Sequence, residues 1–99
     1  MSPGSAFDAV AARQLGAAGV TRRMMFGRDT LLAGGHPFAF RDGDRIALKL
    51  PDAVDLVAHG AGTTPVMGRR VMRQWVAVPL DDPAGLAERV DAAHRFVDH

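Results

Sequence analysis

Two periodicities organise the apolar positions. From Arg45 to Leu50 the chain alternates, with Ile46, Leu48 and Leu50 on one side and Arg45, Ala47 and Lys49 on the other. This is the signature of a strand with one buried and one solvated face. Near the C-terminus Leu86, Val90, Ala93 and Val97 recur at helical spacing, which predicts an amphipathic helix of about four turns. Asp82 stands at its predicted N-cap and Pro83 at its first position, where a missing amide costs nothing. A third amphipathic run, Ser5 to Ala18, predicts a first helix. Ser5 is its expected cap, and Asp8 is expected in its first turn. Phe7, Val10, Ala11, Leu15 and Ala18 form its apolar stripe, and Gly19 is its expected left-handed stop.

Between these helices the pattern is strand-like. Val20 to Phe26, Thr30 to Ala33 and Pro37 to Phe40 read as extended pieces. Pro37 lacks a ladder donor and marks an edge, a bulge or a turn. Asp42-Gly43-Asp44 is a hairpin turn signal ahead of the alternating strand. Asp52 is placed to cap a short helix running to His59, with Val54, Val57 and Ala58 as its stripe and Ala53 and Leu56 beside them. Pro65 to Val71 and Arg73 to Pro79 read as two more strands, joined near Gly68-Arg69-Arg70 by either a tight turn or a continuous edge. In the second of these, Trp75 and Ala77 share a face opposite Val76 and Val78. The expected order is α-β-β-β-α-β-β-α. Strands grouped between helices predict an α+β fold around an antiparallel sheet of about five strands.

Composition narrows the chemistry more than it names it. The chain has 99 residues, enough for one domain, and 47% of them are hydrophobic. It has no cysteine, which excludes disulfides, thiolate metal sites and a cysteine nucleophile. Tyrosine is absent, and serine occurs only at Ser2 and Ser5, so those nucleophiles have no carrier in the body of the chain. No phosphate-loop or dinucleotide fingerprint is present, and Gly60-Ala61-Gly62 lacks the strand-to-helix context of one. No segment is long and apolar enough to span a membrane. Met1-Ser2-Pro3-Gly4 shows no secretory signal, so a cytoplasmic location is expected. Eleven of the 12 basic residues are arginine, and alanine and glycine supply 28 positions. Such usage points to a high-GC, bacterial genome.

His36, His59, His94 and His99 form no metal-binding pair and read as surface histidines. Asp42/Asp44 and Asp81/Asp82 read as a turn and a helix cap, not as catalytic carboxylates. No catalytic, cofactor or metal set is expected. A residual enzymatic reading would use His36 or His59 with a neighbouring aspartate.

Charge is more informative by segment than in total. The formal net charge of +1 splits into +4 over residues 1–80 and −3 over residues 81–99. Arg22, Arg23 and Arg28 gather near one strand, and Arg69, Arg70 and Arg73 near another. If those strands were neighbours, one basic sheet face could bind nucleic acid or a phosphorylated ligand. The competing reading is arginines guarding an edge against aggregation.

Arg23-Met24-Met25-Phe26-Gly27 is followed by Phe38-Ala39-Phe40 before Asp42-Gly43-Asp44, then by Ile46-Ala47-Leu48-Lys49. Met72, Trp75 and Val78-Pro79 follow before Asp81 or Asp82 opens the last helix. This succession resembles the N-terminal domain of the TfoX family over about residues 20–97. Arg28 stands where that family usually has a second glycine, and Ile46-Ala47-Leu48-Lys49 replaces its usual Leu-Tyr-Leu-Lys. The resemblance implies a curved antiparallel sheet like that of secretion chaperones, and no enzymatic residues. It also implies a stand-alone module over residues 1–99, because TfoX competence regulators carry a further helix–hairpin–helix domain. The expected function is a small non-enzymatic, protein-binding or regulatory module that could pair as a homodimer. Arginine-mediated binding of nucleic acid or phosphate is the alternative.

Overall fold

A computed structural model describes residues 2–98; the expectation for His99 lies outside them. Ten elements follow in order: α1 (Pro3–Gln14), β1 (Val20–Met25), β2 (Arg28–Ala33), β3 (His36–Asp42), β4 (Arg45–Lys49), α2 (Ala53–Ala58), β5 (Val66–Met67), β6 (Arg70–Val71), β7 (Trp75–Pro79) and α3 (Pro83–Val97). The class is α+β, as the grouped strands predict. Five strands form one antiparallel sheet in the order β1-β2-β3-β4-β7, and β5 and β6 form a separate two-stranded sheet. No helix among the described residues is long and apolar enough to cross a membrane.

The principal core lies where the helices cover one face of the sheet. Phe7, Val10 and Ala11 of α1 and Leu86, Val90 and Ala93 of α3 are buried with Leu31, Phe38, Ile46, Leu48, Val76 and Val78. The α3 stripe is the one its spacing predicts. Pro37 sits beside a bulge: Leu31 pairs with Ala39 but Leu32 pairs with Pro37, leaving Phe38 as the additional residue. A bulge turns two consecutive side chains to one face, and Phe38 and Ala39 both enter the helix-side core.

Several local expectations are corrected. The first helix begins at Pro3 and ends at Gln14, so Ser2 is the N-cap, and its Oγ accepts the Ser5 N–H at 3.1 Å. Proline at the first helical position moves the start upstream, and Asp8 is therefore beyond the first turn. Leu15 is 43% exposed and Ala18 is exposed. Gly19 has φ +80° but leads into β1 rather than closing the helix. Asp52 and Asp82 occupy N-cap positions without making a side-chain capping hydrogen bond. In α2 the buried residue is Ala53, with Leu56 and Val57 half-buried, whereas Val54 is 63% exposed. Six residues resting on β7 bury a narrower stripe than the periodicity offers.

The second face of the sheet is not simply solvated. Ala47, expected on the water side, is fully buried with Phe40 and Ala77. Met67, Met72 and Trp75 pack on these three. The junction left open in the sequence is a tight turn: Met67 pairs with Arg70 across Gly68 and Arg69. The chain before this hairpin also straps the border strand β7. Thr63 N–H donates to Ala77 O at 3.0 Å, and Ala77 N–H donates to Thr63 O at 2.8 Å. Gly62 permits that approach, because a Cβ there would lie 2.5 Å from Ala77 O.

Candidate binding groove

Two hairpin tips frame a groove on this second face. The first is the connection between β1 and β2. Met25 pairs with Arg28, leaving Phe26 and Gly27 as a two-residue loop, and both have positive φ, 53° and 76°. A turn of this kind ordinarily carries Asn-Gly, since the left-handed conformation costs a residue with a large side chain about 1–2 kcal/mol. Phe26 is the one non-glycine residue with positive φ among the described residues, and it is 82% exposed. Folding thus gains little from its ring and bears the backbone cost.

The second tip is Gly68-Arg69, between β5 and β6. Gly68 has φ +62°, as a two-residue hairpin with glycine first requires. The hairpin is fastened to the sheet by Met72 N–H to Pro65 O at 3.0 Å and by Trp75 N–H to Met72 O at 3.1 Å.

Between the tips lies an apolar groove of about 440 Å³, within the range of about 300–1,000 Å³ typical of ligand sites. Thr30, Pro37 and Phe40 contribute from the sheet, Met25 and Phe26 from the first hairpin, and Met67, Arg70, Met72 and Trp75 from the second region. Phe40 and Trp75 meet at 5.1 Å between ring centroids, tilted by 49°. The Arg28 guanidinium lies 5.6 Å from the Phe40 ring centroid and pairs with Asp42. Three of the five methionines line this groove. Their unbranched, polarisable side chains adapt to differently shaped guests.

The six arginines singled out in the sequence do not form one continuous face. Strand β1 pairs only with β2, while Arg70 lies in the separate β5–β6 sheet. Arg22 pairs with Leu31, a helix-side position, and Arg23 pairs with Thr30, which faces the groove. Arg22 donates to Asp29 at 2.9 and 2.6 Å and to Asp8 of α1 at 2.7 Å, with its guanidinium over Phe7. Those hydrogen bonds, Asp29 first and Asp8 second, raise the arginine's pKa further above its ordinary value. The same bond from Arg22 holds the Asp29 carboxyl below the usual carboxylate value. Arg28 is engaged by Asp42. Arg23, Arg69 and Arg70 make no ion pair among the described residues, and Arg70 borders the groove. Arg73 lies apart, in a small pocket with Val54, Val57 and Val71.

The histidines are dispersed. His36 and His59 are exposed. His36 borders an open cleft of about 380 Å³ of mixed lining, with Lys49, Gln74 and Asp98 beside Phe96 and Val97. His59 Nδ1 lies 2.7 Å from Asp55 O within its own helix end. His94, expected at the surface, is instead half-buried and stacks on Phe38 at 5.2 Å, with Nε2 3.4 Å from Asp98. The i to i+4 spacing to Asp98 and the adjacency of Ala93 to the core were its available signals. Among the described residues no group of three or more histidine or acidic side chains is arranged to hold a metal.

The aromatic positions divide similarly. Phe7, Phe38 and Phe40 are buried, Trp75 and Phe96 are half-buried, and Phe26 alone is exposed. Comparison with protein-family models, with curated proteins and with solved structures finds no match, so the meaning of the groove rests on the chain's own residues.

Proposed function

We propose that this chain is a small, non-enzymatic module, resembling the TfoX N-terminal domain, that acts in the bacterial cytoplasm by binding a segment of a partner protein in the groove between its two hairpin tips. The observation that carries this reading is Phe26, an aromatic ring held in a costly backbone conformation and exposed at the rim of a methionine-rich apolar groove. Exposed strain and exposed apolar surface at one place favour a binding role over a packing role. The alternative, nucleic acid or phosphate bound through the six arginines, has less support. Arg22 and Arg28 are paired with aspartates, and Arg22 faces away from Arg23.

Immobilised wild-type protein and a Phe26→Asn variant test this side by side. Asparagine accepts the left-handed conformation, so the variant is expected to unfold at an equal or higher urea concentration. A protein retained from bacterial cytoplasm by the wild type and lost by the variant is the expected result. Identical retention by both, or co-purification of nucleic acid in place of protein, overturns the reading.

A further inference from the structure

Charge at the rim of the groove specifies its occupant further. The lining is apolar on the floor, where Phe40, Met72 and Trp75 lie. Arg70 borders it directly, Arg69 occupies the adjoining hairpin tip, and Arg23 stands in the strand row that faces the same side as Thr30. None of the three is neutralised by an aspartate or glutamate among the described residues. On the same face Asp42 is already engaged by Arg28. The groove is thus an apolar slot with an uncompensated positive rim, and residues 1–80 carry a net +4 overall.

We propose that the groove takes a peptide segment with a large apolar side chain flanked by aspartate or glutamate, the apolar group seated against Phe40, Met72 and Trp75 and the carboxylates on Arg23, Arg69 and Arg70. This rests on the protein-binding reading above and names the chemistry of the segment. A carboxylate at an arginine fork makes a charge-assisted, directional bond, and rim charges of opposite sign accelerate encounter and reject basic competitors. Single-stranded nucleic acid fits the same charge less well. It needs a series of free aromatic faces, whereas Phe40 and Trp75 are packed on each other and Phe26 is the remaining exposed ring. A second copy of this chain would have to offer its acidic α3, whose apolar stripe already lies in its own core.

Trp75 is the single tryptophan of the chain and lies in the groove, so its fluorescence reads occupancy directly. Titration uses short peptide pools with a central Leu or Phe and flanks drawn from Asp/Glu, from Asn/Gln or from Lys/Arg. A fourth acidic pool has Ser at the centre, and a thymidine oligonucleotide serves as the nucleic-acid probe. The acidic, apolar-centred pool is expected to bind at least about tenfold more tightly than its amide counterpart. That advantage is expected to vanish in an Arg69→Ala/Arg70→Ala variant and to shrink with added salt. Equal binding of acidic and amide pools overturns the acidic preference and leaves protein docking in the groove intact. Equal binding with Ser at the centre overturns the apolar anchor. A tighter response to the oligonucleotide, or a dimer that Phe26→Asn dissolves in light scattering, assigns the groove to another occupant and overturns the proposal. No response of Trp75 to any pool overturns it as well, and if Phe26→Asn also leaves partner capture unchanged, the protein-binding reading falls with it.

Discussion

The two faces of the central sheet solve different problems with the same strands. On one face three helices close over Leu31, Phe38, Ile46, Leu48, Val76 and Val78, and the side chains are sealed from water. On the other Phe40, Ala47 and Ala77 are buried, but the residues that cover them, Met67, Met72 and Trp75, remain half-exposed beside a groove. Arg28 and Asp42 pair on the open face, but the side-chain bonds that hold helices lie elsewhere. The ties from Arg22 to Asp8 and from Arg13 and Gln14 to Asp91 all fasten helices on the closed face. Gln14 is 3% exposed, and its amide donates to Asp91 at 2.7 Å, joining α1 to α3. The closed face therefore carries most of the stability, and the open face leaves adaptable apolar surface exposed.

The sharpest way to break this contrast is to empty one position on each face. Phe38→Ala removes a fully buried ring that also stacks on His94. It is expected to cost about 3–5 kcal/mol, read from the urea midpoint. Met72→Ala on the open face is expected to cost about 1 kcal/mol; equal losses would mean that the faces share the load. Next in size is Gly62→Ala, whose Cβ would strike the Ala77 carbonyl and displace the strap from β7. It is expected to cost about 1–3 kcal/mol and to speed hydrogen exchange at the Ala77 amide above all others in the sheet. Phe26→Asn is expected to raise stability by about 1 kcal/mol by relieving the turn, an increase found together with lost docking.

The smallest effect is acid sensitivity of the closed face. Hydrogen bonds from Arg22 to Asp29, and from Arg13 and then Gln14 to Asp91, lower both carboxyl pKa values below the ordinary 3.8. A carboxyl with a depressed folded-state pKa contributes stability that is complete above its unfolded value and lost as pH falls through the folded one. Stability is therefore expected to be level above about pH 5 and to decline below about pH 4. Each pair should contribute no more than about 1 kcal/mol. Asp91→Asn is expected to flatten the decline, and a decline centred near neutrality would contradict this origin.

The closed face was legible in the sequence because each of its elements carries its own period. Ile46, Leu48 and the α3 stripe announce their burial by spacing alone, and the Asp-Gly-Asp turn and Pro37 mark the interruptions. The open face was not, because its cover is a two-residue pair of strands, too short to show a period. Its buried alanines, Ala47 and Ala77, have side chains small enough to stand on either side of a sheet. Residue type cannot reveal that Val54 rather than Ala53 faces water, since packing on β7 decides it. The arginines show the converse. Consecutive residues of a strand point to opposite faces, so the divergence of Arg22 from Arg23 was implicit in their adjacency. The Met-Phe-Gly run carries a family resemblance in sequence, but the left-handed backbone of Phe26 is a property of the two-residue turn, visible only once the Met25–Arg28 pairing is known.

The strap at Thr63 limits how far copies of this molecule could assemble. The outward N–H of Ala77 is taken by Thr63 and that of Trp75 by Met72, and Pro79 has none. By strand alternation these three share the outer border of β7, which leaves no donor for a further strand. Among the described residues no strand or strap pairs with the outer border of β1, which carries Arg22 and Arg23. A sheet sealed at one border can lengthen only once: two copies joined β1 to β1 would present only their closed borders outward. Growth of the five-stranded sheet by edge addition would therefore end at a pair, a limit set by a glycine, a threonine and a proline at the β7 border.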